Sequence, residues 1–305
     1  VGESGSGKSV TSLGIMGLHT SERARIGGEI WLDGEELIGS GAERVRRLRG
    51  QKMAMIFQDP LSALHPYYTI GAQIVEAHRV HNKVDKKAAK KRAIEMLDRV
   101  GIPPEPHRRY EDYPHQFSGG MRQRAMIAMA LVNNPQLLIA DEPTTALDVT
   151  VQAQILDLIR DLQKEFGSAV VMITHDLGVV AEIADSLLVM YAGRCVERGS
   201  AEQVFYEPQH PYTWGGLLGS MPPRIDREQT ERLVPVKGSP PSLINVPPSG
   251  CAFHPRCPYA DVPPDNITRT ERPELRQVGD GHFSACHMSP EQRDRIWTEE
   301  IAPKL

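Results

Sequence analysis

Five short apolar segments, three of them almost uninterrupted, constrain the fold of this chain more than any other feature. They are residues 28–33 (GEIWLD), 53–57 (MAMIF), 136–140 (QLLIA), 169–174 (AVVMIT) and 186–191 (SLLVMY). Uninterrupted apolar runs of this length are typical of strands buried on both faces, as in a parallel sheet covered by helices. We therefore predict an α/β fold.

Helical periodicity fills the intervals between the predicted strands. Residues 151–162 place apolar side chains on one helical face, and Gly167 stands where that helix is expected to end. A second helix is predicted before Gly101, with apolar residues from Ala93 to Val100 on one face and lysines on the other. The succession of strand, helix and strand indicates parallel pairing.

Proline marks a boundary in the second half of the chain. Of the 24 prolines, 16 fall within residues 206–305, where the apolar pattern becomes irregular. We predict one domain over residues 1–205 and a small irregular C-terminal extension over residues 206–305.

Composition excludes several classes of protein. Lys and Arg number 35 against 39 Asp and Glu, and a formal charge of −4 gives no overall basic field for nucleic acid. The longest apolar runs, such as residues 125–132, are much shorter than the about 18 residues that cross a bilayer. Four cysteines are too few for a disulfide framework, which favours a reducing compartment.

Residues 2–9 (GESGSGKS) have the pattern of a phosphate-binding loop at the start of a helix. Glycines let the backbone curl so that successive N–H groups face phosphate oxygens, and the helix N-terminus adds a favourable dipole. We expect Lys8 to reach the β- and γ-phosphates and Ser9 to offer its hydroxyl to Mg²⁺. The predicted phosphate-binding residues are Gly2, Glu3, Ser4, Gly5, Ser6, Gly7, Lys8 and Ser9.

A predicted strand that ends in two acids complements this loop. In residues 137–142 (LLIADE), Asp141 and Glu142 follow an apolar run, at the sheet edge where parallel sheets bind ligands. We expect Asp141 to hold Mg²⁺, and Glu142 to orient and deprotonate the attacking water. Alone, such acids often only cap a turn. Together with the loop, they indicate a nucleotide hydrolase.

A second helix start also has the chemistry of an anion site. Ser118, Gly119 and Gly120, within FSGGMRQ, open a predicted helix. One ATP does not need two such sites on one subunit, so the second is expected to serve the nucleotide of another subunit. The alternative is an ordinary serine-capped helix.

These motifs, in this order, resemble the nucleotide-binding subunits of ATP-binding cassette (ABC) transporters. The set continues with Gln58 in MIFQDP, with Ala146-Leu147-Asp148, and with His175 in ITHD. The resemblance implies that Gln58 senses Mg²⁺ and the γ-phosphate, that Asp148 couples two sites, and that His175 contacts the γ-phosphate.

The resemblance also implies an architecture. It predicts a P-loop core of three layers, an antiparallel sheet near residues 23–40, and a helical subdomain near residues 60–128 that docks a channel. Phe117 stands where Leu is usual in the family. Because the chain starts at Val1, the strand before the loop and the aromatic residue that stacks on adenine are expected to lie upstream, in a sequence truncated at its N-terminus.

The extension narrows the resemblance to importers of peptides, nickel and related solutes. Residues 55–66, 210–213 (HPYT) and 238–260 resemble segments of that group. The implied partners are two membrane permease subunits, a second cassette that is either a copy or a paralogue, and an extracytoplasmic binding protein. The implied location is the cytoplasmic face of the cell membrane. A soluble ATPase of translation or DNA repair is the alternative.

Cysteines in the extension raise the question of a metal. Related importers carry four there, and some hold a four-iron, four-sulfur cluster, whereas the third expected cysteine is missing here. A cluster completed by Asp265, His254 or water, a zinc site using His254 or His287, and buried thiols without metal all remain possible. The cysteines concerned are Cys251, Cys257 and Cys286.

Overall fold

The computed structural model describes residues 1–19, 24–102, 105–145, 147–220, 236, 238–241 and 249–304. The chain divides into two compact units. One comprises residues Ser9–Ile173, and the other combines Val1–Lys8 with Thr174–Leu305. Within the described ranges, no helix is both long and apolar enough to cross a membrane.

A parallel sheet lies at the centre of the unit Ser9–Ile173. Its strands are ordered β3-β4-β5, so that β4 is paired on both sides. Three of the four strands that the apolar runs predicted in this unit are present with their ends shifted by at most one residue. The strands of the unit are β1 (Trp31–Leu32), β2 (Glu35–Glu36), β3 (Met53–Ile56), β4 (Leu137–Asp141) and β5 (Ala169–Ile173).

The expected antiparallel sheet is present as the hairpin of β1 and β2. Asp33 and Gly34 join the two strands with φ values of 51° and 77°. Two consecutive positive φ angles are the geometry of the tight Asp-Gly hairpin turn. This turn shortens the strand predicted over residues 28–33, and residue 23 lies outside the described residues.

The helices near the sheet follow the apolar patterns. Helix α8 ends at Gly167, whose left-handed φ of 65° confirms the predicted stop. Helix α5 is followed by Gly101, also left-handed. The helices are α1 (Lys8–Ile15), α2 (Ala42–Leu48), α3 (Pro60–Ala63), α4 (Ile70–Arg79), α5 (Lys86–Arg99), α6 (Pro106–Arg109), α7 (Gly119–Leu131) and α8 (Val149–Phe166).

The largest core of this unit joins α4, α5, α7 and α8 to the sheet. Helix α8 buries Ile155, Ile159 and Leu162 at helical spacing, and α5 buries Met96 and Leu97. Each such side chain contributes about 1.5–3 kcal/mol when it leaves water. The packing fixes the ends of β3, β4, α7 and α8, where the motif residues lie.

The other unit contains an antiparallel sheet ordered β6-β7-β9-β8. Strand β9 belongs to the extension and pairs with β7, Glu197 lying opposite Ser284. The sequence predicted irregular structure after Phe205, and these strands are a difference from it. The elements are α9 (Leu177–Ile183), β6 (Ser186–Tyr191), β7 (Arg194–Ser200), α10 (Ala201–Tyr206), α11 (Ile267–Thr270), β8 (Arg276–Gly279), β9 (His282–Ser284) and α12 (Pro290–Ile296).

Aromatic side chains form much of the core of this unit. Tyr191, Tyr212 and Phe253 pack together, with ring centroids 4.7–5.5 Å apart. Tyr212 comes from the HPYT segment and Phe253 from the extension, whereas Tyr191 ends β6. The extension is therefore fastened to the sheet by buried rings as well as by strand pairing.

Candidate nucleotide-binding site

The glycine loop has a backbone that side chains would not permit. Gly2 has a φ of 148°, and a Cβ there would lie 2.2 Å from the carbonyl oxygen of Met190. Gly7 has a φ of 96°. The Gly193 N–H donates to the carbonyl of Ser6 at 2.9 Å, which fastens the loop to the turn after β6. The loop is thus a fixed curl of backbone, as the motif requires.

The ammonium group of Lys8 lies inside the loop formed by the preceding residues. Its Nζ donates to the carbonyls of Gly2 and Glu3 at 2.7 and 3.0 Å, and the residue is only 8% exposed. Ser4 and Gly5 complete the loop between Glu3 and Ser6. A cation held by neutral carbonyls can exchange them for phosphate oxygens, with which it forms stronger, charge-assisted bonds.

Ser9 and Asp141 are brought together from positions 132 residues apart. The Ser9 hydroxyl donates to Oδ1 of Asp141 at 3.0 Å. Asp141 is 5% exposed at the carboxyl end of β4, and Ser9 lies in the first turn of α1. Magnesium prefers oxygen ligands and is commonly held by one or two protein groups together with substrate phosphates. The pair therefore fits a magnesium ion.

Glu142 has a positive φ of 45° immediately after β4. Such a conformation costs about 1–3 kcal/mol in a residue other than glycine, and is frequent at functional sites. The carboxylate Oε2 accepts hydrogen bonds from Gln58 Nε2 and from the Thr145 hydroxyl, both at 3.0 Å. Two donors thus fix the direction of this carboxylate. Sequence reasoning missed Thr145, because a threonine in a turn carries no distinguishing signal.

The residues of FSGGMRQ open α7. The Ser118 hydroxyl accepts from the N–H of Met121 at 3.3 Å and caps the helix. A Cβ at Gly120 would lie 2.9 Å from a methyl of Val151 in α8, so this glycine permits the close approach of the two helices. Gly119, beside it, is exposed.

Two further motif residues lie at or just before a helix start. Asp148 caps α8 by accepting from the N–H of Val151 at 2.9 Å. His175 is exposed in the turn between β5 and α9, in the other unit of the chain. Ala146, which the sequence motif includes, lies outside the described residues.

The three cysteines of the extension line one small cavity of about 20 Å³, together with His254 and His287. All three thiols are free. Burial raises the pKa of Cys257 to about 12 and that of Cys286 to about 11. Both thiols are therefore protonated at neutral pH, and a metal bound there would have to displace their protons.

The size of this cavity bears on the largest of the metal groups considered from the sequence. Across the described residues, no group of three or more His, Cys, Asp or Glu side chains is arranged to hold a metal ion. A volume of that size holds about one water molecule. A four-iron, four-sulfur cluster therefore does not fit the side chains as they stand, and Asp265 does not line the cavity.

Comparison with known families agrees with this geometry. The ABC transporter family matches residues 1–145, and the C-terminal region of oligopeptide/dipeptide transporters matches residues 196–262. A solved dimeric ATP-binding cassette, in a post-hydrolysis state with ADP and phosphate, superposes with a TM-score of 0.58 at 29% identity. It covers 66% of this chain and 83% of its own. The fold and the site thus define an ATP-binding cassette.

Relatives of known assignment narrow the class. The oligopeptide transport ATP-binding protein OppD of Bacillus subtilis is 51% identical over 93% of this chain and 77% of its own length. The dipeptide transport protein DppD of the same organism is 53% identical over 88% of this chain and 78% of its own. The chain belongs to the family of ABC transporter ATP-binding proteins that includes OppD and DppD, and it is an ATPase of that family.

Proposed function

We propose that this chain hydrolyses ATP to drive the import of dipeptides or oligopeptides through a membrane channel. The observation that carries the proposal is the peptide-transporter C-terminal region at residues 196–262, joined to a cassette about half identical to OppD and DppD. A soluble ATPase of translation or DNA repair would not need that region.

Binding of the nucleotide begins at the loop. The backbone N–H groups of residues 2–9 and the N-terminus of α1 would surround the phosphates. The Lys8 ammonium would leave the carbonyls of Gly2 and Glu3 to bind the β- and γ-phosphate oxygens. Lys8 is buried, so this contact would be little screened by salt.

Ser9, Asp141 and Gln58 would hold Mg²⁺. The support for this set is the Ser9–Asp141 contact and the position of Gln58 beside Glu142. The ion would supply positive charge that stabilises the negative charge developing during phosphoryl transfer. The protein would contribute oxygen ligands at the buried end of β4.

Glu142 would act as the general base. A water aligned with the γ-phosphorus would lose its proton to the carboxylate as the new P–O bond forms and the bond to ADP breaks. A positioned base contributes about 10²- to 10⁴-fold in rate. Gln58 and Thr145 would keep the carboxylate in its reactive direction, because both donate to the same oxygen.

The remaining motif residues would act between two cassettes. The start of α7, with Ser118, Gly119 and Gly120, would bind the γ-phosphate held by a second cassette. Asp148 would couple the two sites, and His175 would contact the γ-phosphate. The dimeric ATP-binding cassette structure matched above supports this arrangement.

The proposed assembly has two permease subunits, a second cassette that is a copy or a paralogue, and an extracytoplasmic binding protein. This chain would lie at the cytoplasmic face of the membrane.

We propose a cassette over residues 1–205 and the extension over residues 206–305. The helical subdomain, near residues 60–128, would dock the permeases. Leu61, Tyr67 and Tyr68 support this, since they are 60%, 83% and 58% exposed.

The solute can be tested in cells that lack this chain and are complemented with it. We expect restored uptake of labelled dipeptides or oligopeptides, with no change in uptake of labelled Ni²⁺. Complementation with a Lys8→Ala chain is the matched control and should restore nothing. If nickel uptake is restored and peptide uptake is not, the solute is nickel and the proposal of peptides is wrong. If neither uptake is restored, transport is rejected as the function.

A further inference from the structure

Glu3, the second residue of the phosphate loop, is acidic, and its carboxylate forms an ion pair with an arginine of the C-terminal extension. Arg256 donates to both carboxylate oxygens of Glu3, at 2.8 Å from Nη1 to Oε2 and 3.1 Å from Nη2 to Oε1. The Arg256 side chain is 9% exposed and that of Glu3 is 25% exposed. The pairing is bidentate and shielded from water, unlike a surface salt bridge.

The backbone of Glu3 is held by the extension as well. Its N–H donates to the hydroxyl of Tyr212 at 2.8 Å. Tyr212 is fully buried, and burial raises the pKa of its phenol, so the group remains neutral and able to accept. Arg256 also donates to the Tyr191 hydroxyl at 3.3 Å, which ties it to the same aromatic cluster.

These contacts reach the group that faces the phosphates. The carbonyl of Glu3, whose N–H and side chain are held by Tyr212 and Arg256, accepts from Lys8 Nζ. The Glu3 N–H shares its peptide group with the carbonyl of Gly2, which also accepts from Lys8 Nζ, so a change in the direction of either peptide group would move the ammonium. An unpaired carboxylate in an anion-binding loop would also repel a triphosphate, and Arg256 removes that repulsion.

We propose that the C-terminal extension positions the phosphate loop, with Arg256 neutralising and orienting Glu3 and Tyr212 fixing its backbone. Arg256 and Tyr212 are positioning residues, because they act through Glu3 and Lys8. The inference rests on the proposed binding of ATP at residues 2–9. It assigns the extension a part in nucleotide affinity in addition to any part in the choice of solute.

A double-mutant cycle on the purified protein tests the charge. The dissociation constant of a fluorescent ATP analogue is measured for wild type, Glu3→Gln, Arg256→Gln and the double variant, together with thermal unfolding without nucleotide. We expect Arg256→Gln to weaken binding about tenfold, and the double variant to return to within about threefold of wild type. Arg269→Gln, which removes an exposed ion pair with Asp261, is the matched control and should bind normally.

The cycle separates this proposal from a merely structural contact. If Arg256 only stabilised the fold, the double variant would bind no better than Arg256→Gln, and that result would overturn the proposal. Unchanged binding by Arg256→Gln would also overturn it. Lys8→Ala, measured in parallel, distinguishes the two failures. Weak binding there with normal binding by Arg256→Gln rejects only this inference, whereas normal binding by both rejects the proposed site.

If Arg256→Gln does not fold, Tyr212→Phe tests the proposed positioning of Glu3 by a second route. The substitution retains the ring in the aromatic cluster but removes the acceptor for the Glu3 N–H. We expect the dissociation constant to rise about threefold or more, and Tyr206→Phe, at an exposed tyrosine, to leave it unchanged. Equal affinity of Tyr212→Phe and wild type would reject the proposed positioning.

Discussion

Hydrogen bonds to the Glu142 carboxylate determine the chemistry at the end of β4. Thr145→Val removes the hydroxyl that donates to Glu142 while keeping the side-chain shape. We predict a fall in kcat of about tenfold with unchanged ATP affinity, because a hydrogen bond to a charged group contributes about 1.5–3 kcal/mol. Steady-state hydrolysis and ATP binding measure the two effects. Thr150→Val, at an exposed threonine, is the control, and an equal kcat for the two variants would contradict the role of Thr145.

The cysteines give a second prediction at the scale of residues. Because the cavity they line has room for about one water, and because the described residues place no group of three or more His, Cys, Asp or Glu side chains to hold a metal ion, we expect protein purified without oxygen to contain neither iron and sulfide nor zinc in stoichiometric amount. The raised thiol pKa values of Cys257 and Cys286 predict slow alkylation at pH 8. Elemental and sulfide analysis decides the matter, and one metal group per chain would show that these side chains rearrange.

Motifs predicted some residue contacts and could not predict others. Ser9 and Asp141, and likewise Gln58 and Glu142, were expected at one site, and each pair is in contact. Arg256 lies 253 residues from Glu3, and neither a lone arginine nor a lone glutamate indicates its partner in a sequence. Contacts of this kind depend on the completed fold.

At the scale of elements, the predictable strands are those with a strong local signal. Strands β3 and β4 are buried apolar runs and β5 is an apolar run that is only partly buried, so the apolar sequence alone identified all three. Strand β9 has three residues, too few to show alternation, and its partner β7 lies about 85 residues earlier. The extension was therefore predicted as irregular, although it adds two strands to a sheet.

A buried carboxylate joins these elements. Glu197 on β7 has no exposed surface, and accepts from the N–H groups of Gln209 and His210, from the Thr213 hydroxyl and from Nε2 of His282. Four donors therefore share the two oxygens of this one carboxylate. This arrangement explains why the HPYT segment and β9 lie against β7.

We predict that Glu197→Gln lowers the free energy of unfolding by about 3 kcal/mol, since it leaves buried donors unpaired and adds a donor of its own. Urea denaturation of the purified protein measures the change. Glu202→Gln, at an exposed position on the neighbouring α10, should change stability by less than about 0.5 kcal/mol. Equal losses in the two variants would show that the Glu197 contacts carry no special stability.

At the scale of the whole molecule, the proposed shared sites predict complementation. A Ser118→Arg chain and a Lys8→Ala chain should each be inactive, because each spoils both sites of its own dimer. If two copies of this chain pair, each mixed dimer has one intact site. At random pairing about half of the dimers are mixed, so the mixture should regain roughly a quarter of wild-type hydrolysis. Phosphate release from the mixture measures it. Full hydrolysis by wild-type protein diluted to a monomer would contradict shared sites.

Coupling of hydrolysis to peptide movement is the central claim, and one reconstitution tests it most directly. The chain is assembled with its permeases in lipid vesicles, and phosphate release and uptake of a labelled peptide are recorded together for wild type and Glu142→Gln. We predict that wild type performs both, whereas Glu142→Gln retains ATP binding and performs neither, because its amide cannot accept the proton of the attacking water. Peptide accumulation at the wild-type rate by Glu142→Gln would contradict the account.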